Sequence, residues 1–138
     1  MGTWYEIARL PNSFQEGCVD TSATYTLLPD GRVEVLNRCR RGTLDGPQRQ
    51  ARGKARVVDA ATGAKLKVTF FWPFSGDYWI IALDEDYRWV LVGTPDRRYL
   101  WILSRERTMD PGLYEELTVR ARDLGFDTSR LLTTLQPG

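Results

Sequence analysis

Hydrophobic and polar residues alternate at period two in eight blocks, at 3–10, 19–28, 32–40, 50–59, 65–72, 77–83, 88–93 and 98–105. Successive side chains of a strand point to opposite faces, so this pattern predicts strands with one face on a core and leaves little of the chain for helix. Leu28-Pro29-Asp30-Gly31-Arg32 and Ala61-Thr62-Gly63 carry tight-turn chemistry, because Asp and Gly accept positive φ, and they join neighbouring blocks as hairpins. Consecutive strands are therefore expected to be antiparallel. An open eight-stranded sheet would expose two edges, and closure removes both. The predicted fold is all-β: an eight-stranded antiparallel up-and-down barrel over about 3–106, within a single domain spanning 1–138. The interior of such a barrel is just wide enough for side chains or one small ligand.

One segment changes period. Leu113, Leu117, Ala121 and Leu124 form an i, i+4 stripe, with Glu115, Glu116, Arg122 and Asp123 elsewhere around the helix. Asp110 suits the N-cap, Pro111 the first helical position and Gly125 the left-handed residue after the last turn. The helix is expected over about 111–124, packed outside the barrel, with a tail at 126–138 whose Leu131, Leu132 and Leu135 are available to dock.

Composition narrows the chemistry. The chain has no histidine, which excludes Ser-His-Asp and Cys-His centres and His-ligated zinc or haem. No metal and no cofactor are expected. Nineteen Lys and Arg oppose eighteen Asp and Glu, so bulk charge does not suggest a nucleic-acid partner. No apolar run is long enough for a transmembrane helix, and the chain does not open on a charged-then-apolar export segment. Sixteen aromatic residues, five of them Trp, need a place.

Gly2-Thr3-Trp4-Tyr5-Glu6-Ile7-Ala8-Arg9 resembles the Gly-x-Trp opening motif of the lipocalins, and Trp101-Ile102-Leu103-Ser104-Arg105 resembles the motif of their last barrel strand. The middle Thr-Asp-Tyr motif stands here as Leu83-Asp84-Glu85, keeping its Asp. Further segments, among them Ala23-Thr24-Tyr25-Thr26-Leu27, Phe70-Phe71-Trp72-Pro73-Phe74 and Pro95-Asp96-Arg97-Arg98-Tyr99-Leu100-Trp101, resemble the bacterial outer-membrane lipocalin (Blc) subgroup and its apolipoprotein D and plant temperature-induced relatives. The resemblance implies a barrel floor of Gly2, Trp4, Asp84 and Arg105, with the Arg lying across the Trp indole. It also implies binding of fatty acids or lysophospholipids without catalysis, in the periplasm or at the outer membrane, with a membrane surface and a second copy as further partners. The export signal and lipid-modified Cys usual in that subgroup do not stand in this sequence, so anchoring rests on the resemblance alone.

With Trp4 and Arg105 turned inward, strand parity assigns a lining: Ala8, Ala23, Tyr25, Val35, Gly53, Ala55, Val68, Phe70, Tyr99 and Trp101. Leu100 and Ile102 then face outward, towards the helix stripe. The lining suits an acyl chain, although any of its aromatics could equally be solid core. Phe14, Trp72 and Phe74 place rings where loops are normally polar, which suggests a cavity mouth or a membrane-docking patch. Arg38, Arg40, Arg41, Arg49, Arg97 and Arg98 fall near the same rim, where a guanidinium could hold a phosphate or carboxylate headgroup or simply be solvated.

Cys18 and Cys39 flank the second and third blocks, and a disulfide there would staple the hairpin. A turn at Asp30 sets Cys39 opposite about Thr21, so the bridge requires a bulge or a Cys18 lying before the strand. Two other readings stand beside lipid binding. One is a carrier of a different hydrophobic ligand, such as a pigment or haem-like ring. The other is a lipocalin-type enzyme using Glu6 or the Cys39 thiolate on a lipid.

Overall fold

The computed structural model describes residues 2–11, 17–59, 66–70, 76–94 and 96–136, and within these the side chains other than those of 55–59, 66–70 and 76–79. Strands β1 (Gly2–Arg9), β2 (Cys18–Leu27), β3 (Val33–Arg41), β4 (Gln48–Asp59), β5 (Leu66–Phe70), β6 (Gly76–Leu83), β7 (Trp89–Gly93) and β8 (Leu100–Ser104) run as a meander. Each pairs antiparallel with the next, and β1 pairs with both β2 and β8, so the run of pairings returns on itself as a barrel. The β2–β3 turn uses Gly31 at φ 86°, with Asp30 accepting from the backbone and guanidinium N–H groups of Arg32. The other expected hairpin signal, at 61–63, lies outside the described residues.

Helix α1 (Pro111–Asp123) starts as its sequence dictates: Asp110 accepts from the Leu113 N–H and Pro111 occupies the first turn. It ends before Gly125, which adopts φ 99°. Leu117 packs with Ile7, Ala8, Leu91 and Ile102, and Ala121 with Leu10, Leu100 and Phe126, so the helix covers the outer faces of β1, β7 and β8. Packing here is close. A Cβ on Gly93 would stand 2.6 Å from Phe126 Cζ and 2.7 Å from Ile81 Cδ1. Leu124, expected on the buried stripe, is the C-cap and is exposed.

The tail docks through Leu131, which is partly buried against both clusters under the helix, and through its backbone. Leu132 and Leu135 stay exposed. β1 pairs with β2 only over Gly2–Tyr5, and the tail fills the gap where the two strands part. There β9 (Leu132–Thr133) pairs with Ala8 and Arg9, the Thr134 N–H donates to Ile7 O, and the Asp20 N–H donates to Leu135 O. Gln136 Nε2 donates to both Glu6 O and Thr21 O, spanning the gap.

Two bulges alter the parity expected from sequence. Glu6 pairs with Leu103 and Ala8 with Ile102, so Ile7 is an extra residue and every later side chain of β1 changes face. Ala8, expected in the cavity, therefore lies in the fully buried cluster under the helix. On β2 the register slips between Val19 and Ser22, where Asp20 adopts φ 51°. That slip brings Cys18 within 5.4 Å of Cys39, Cα to Cα, and the two form a disulfide.

Candidate functional site

Residues directly opposite on paired strands share a face. Register therefore carries the inward row from Trp4 to Ala23, from Tyr25 through Val35 to Gly53, and from Trp101 to Val92. Trp4, Val90 and Leu103 form a buried cluster against which Tyr25, Ile80, Val92 and Trp101 pack, and Tyr25 also joins Val33 and Val35. The Tyr99 ring centroid is 6.1 Å from that of Trp101. Ala55 is opposite Val33 and Phe70, and Val68 is opposite Val57, which places these three on the same register rows.

At the base, the Arg105 guanidinium carbon sits 3.9 Å from the Trp4 ring centroid and Nη1 donates to Thr3 O at 3.0 Å. Gly2 makes room for it, since a Cβ there would stand 3.0 Å from Nη1. Burial lowers the Arg105 pKa, because desolvation disfavours the charged form. Asp84 belongs to the neighbouring turn, where it accepts from the backbone N–H and Nε of Arg88 at 3.1 Å each. Burial alone would raise its carboxyl, but the hydrogen bonds and charge of Arg88 outweigh this and hold it below its ordinary value.

Strand β1 also places an ion pair on the interior side. Arg9 Nη1 meets Glu6 Oε2 at 2.7 Å, both residues are buried, and Arg9 also reaches Cys18 O. Thr134 Oγ1 donates to the same Glu6 oxygen. Residues three apart cannot share a strand face unless a bulge separates them, and the spacing of Glu6 and Arg9 was the available signal for it. Thr134 and Gln136 carried no such signal.

The expected mouth divides. Phe14, Trp72 and Phe74 lie outside the described residues. Arg40 is held on the outside, 3.7 Å from Asp20 and donating to Gly46 O. Arg97, at φ 63°, donates through Nε to Leu124 O at the end of α1, so its guanidinium serves the helix terminus rather than the opening. Arg98 lies exposed, its guanidinium carbon 5.8 Å from the Tyr99 ring centroid. The disulfide leaves no thiolate at Cys39, which removes the nucleophile of that enzyme reading.

A meandering barrel floored by a Trp beneath an Arg, with one helix against its outer wall, has the architecture of a calycin-type binding barrel. The lipocalin-like domain matches residues 1–136, and the chain belongs to the lipocalin family. It is 46% identical over 138 residues to outer membrane lipoprotein Blc of Escherichia coli K12, covering 100% of this chain and 77% of that protein. It is 43% identical over 148 residues to temperature-induced lipocalin-1 of Arabidopsis thaliana, covering 99% and 76% respectively. The crystal structure of lobster apocrustacyanin A1 shares the fold with a TM-score of 0.73 over 99% of this chain and 77% of that one, at 18% identity.

Proposed function

We propose that the barrel binds and carries an acyl lipid, a fatty acid or lysophospholipid, at the bacterial envelope and without chemical change. The observation that carries this reading is that part of the inward face stays open: beside the buried Trp4, Val33, Val35, Val90 and Leu103, other inward residues are less tightly covered than those under the helix. Under the helix, Ala8, Leu91, Leu100, Ile102 and Leu117 are each 0% exposed. On the inward face Tyr25, Ile80, Val92 and Trp101 cluster with Trp4 yet keep solvent contact. An inward ring that still meets solvent has space beside it, and its neighbours are apolar. Burying a methylene is worth about 0.8 kcal/mol, so a chain of a dozen carbons gains several kcal/mol after ordering costs. Among the described residues Glu6 is engaged by Arg9 and Thr134, an arrangement that suits structure better than proton transfer.

The test is titration of delipidated protein with an acyl fluorophore. Wild type should bind, and Trp101→Glu or Val35→Asp should weaken binding at least tenfold in protein whose circular dichroism is unchanged. Equal binding by folded variants overturns the cavity assignment. A visible absorption band in freshly purified material would instead assign the barrel to a pigment or haem-like ring.

A further inference from the structure

Charge is unevenly divided along this nearly neutral chain. The β3–β4 hairpin, Val33–Asp59, carries seven Lys and Arg against three acids, Glu34, Asp45 and Asp59, which leaves twelve against fifteen in the rest of the sequence. The β3–β4 hairpin is thus a cationic wall on a molecule otherwise anionic. Register puts Arg38 and Arg40 on one strand opposite Gln50 and Gln48 on the other, with Arg52 and Lys54 continuing the same outer row. Arg38, Arg52 and Lys54 are exposed, as are Arg41 and Arg49 near the end of the hairpin. Glu34 pairs with Arg52 at 2.8 Å and Asp20 with Arg40, whereas Arg38, Arg41, Arg49 and Lys54 meet no acidic partner among the described residues. In the ring of strands this wall stands across the barrel from β7 and β8, two of the strands that α1 covers.

We propose that the outer face of β3–β4 is a docking surface for an anionic phospholipid bilayer. An excess of cations on one wall, four of them with no acidic partner among the described residues, and excess acid elsewhere give the molecule a dipole that turns this wall towards a negative surface. Single-stranded nucleic acid is a poorer fit, because stacking platforms need aromatic rings among the cations. The residues interleaved on this face are Ser22, Thr24, Leu36, Gln48 and Gln50. The surface is separate from the barrel interior, so docking does not require the lipid-carrying function and can be measured without it.

Each cation within a Debye length of an anionic bilayer, about 8 Å at physiological ionic strength, strengthens binding roughly fivefold. The experiment is co-sedimentation of the full chain with vesicles of phosphatidylcholine alone or with 30% phosphatidylglycerol, at low and high salt. The wild type should bind the anionic vesicles and release at high salt. A triple variant, Arg38→Gln, Arg52→Gln and Lys54→Gln, should bind on the order of 100-fold more weakly. Gln already occupies positions 48 and 50 of that face, so the substitutions suit the strand. Arg120→Gln on the helix side should bind as wild type, and all variants should bind the acyl fluorophore equally. Equal sedimentation with neutral vesicles, an undiminished triple variant, or retention on single-stranded DNA with no vesicle binding would each overturn the proposal.

Discussion

The guanidinium of Arg105 lies 3.9 Å over the indole of Trp4 and donates to the carbonyl of Thr3, so residues a hundred positions apart seal the base of the barrel. Arg105→Ala removes a partly desolvated cation–π contact and a hydrogen bond, with an expected loss of about 1.5–3 kcal/mol. Arg105→Lys should recover less than half of this, since an ammonium lacks the planar face that stacks on the ring. Urea unfolding of the three proteins decides it, and a Lys variant as stable as wild type would refute the stacking role.

Reducing the Cys18–Cys39 bridge opens a loop with a sequence separation of 21 residues. Chain entropy sets the expected loss at about 3 kcal/mol. It should appear as a lower urea midpoint in reductant, and Cys18→Ala with Cys39→Ala should make stability insensitive to the reductant.

Thr134 is buried and donates to Glu6, which the neighbouring Arg9 also engages. Thr134→Val keeps the shape and removes the donor, so the expected cost is about 1–3 kcal/mol. Amide exchange should quicken at Asp20 and Thr134, the N–H groups that tie the tail to β1 and β2. Unchanged exchange there would show that the tail is held by its other contacts.

Asp84 titrates below its unfolded value of 3.8 because the hydrogen bonds and charge of Arg88 outweigh the effect of burial. A carboxyl with a depressed folded pKa adds stability above its unfolded pKa and loses it as pH falls through the folded one. Wild type should therefore unfold at higher urea than Asp84→Asn at pH 7, and the two midpoints should converge as pH falls below 3.8. A gap that persists in acid would assign the effect to shape rather than charge.

Period-two alternation made the strands legible, and the i, i+4 stripe with Asp110, Pro111 and Gly125 made the helix legible, because both signals are local. Parity failed where one residue was inserted. Ile7 moves Ala8 out of the lining, and the slip beside Asp20 permits a disulfide that strict pairing would strain. Such slips depend on both partner strands and leave little mark on either one alone. The tail was legible in part: Leu131 docks against the clusters under the helix as the leucines suggested, but Leu132 and Leu135 stay exposed, because there the sheet takes up backbone donors and acceptors where β1 leaves β2. Arg97 was assigned to the rim from its loop, and only the position of the helix end explains its bond to Leu124 O.

The close-packed clusters of Leu91, Ile102 and Leu117 lie between wall and helix rather than inside the barrel. The outer face of the same strands is thereby sealed by the helix, while the inward face combines buried core with partly exposed residues. A partly exposed inward residue such as Val92 can change size without touching the contacts between wall and helix, whereas Val35, fully buried beside Val33, belongs to the packed core. Under the proposed lipid-carrying function, substitutions at the partly exposed inward positions would retune the cargo while the wall-to-helix contacts stay in place.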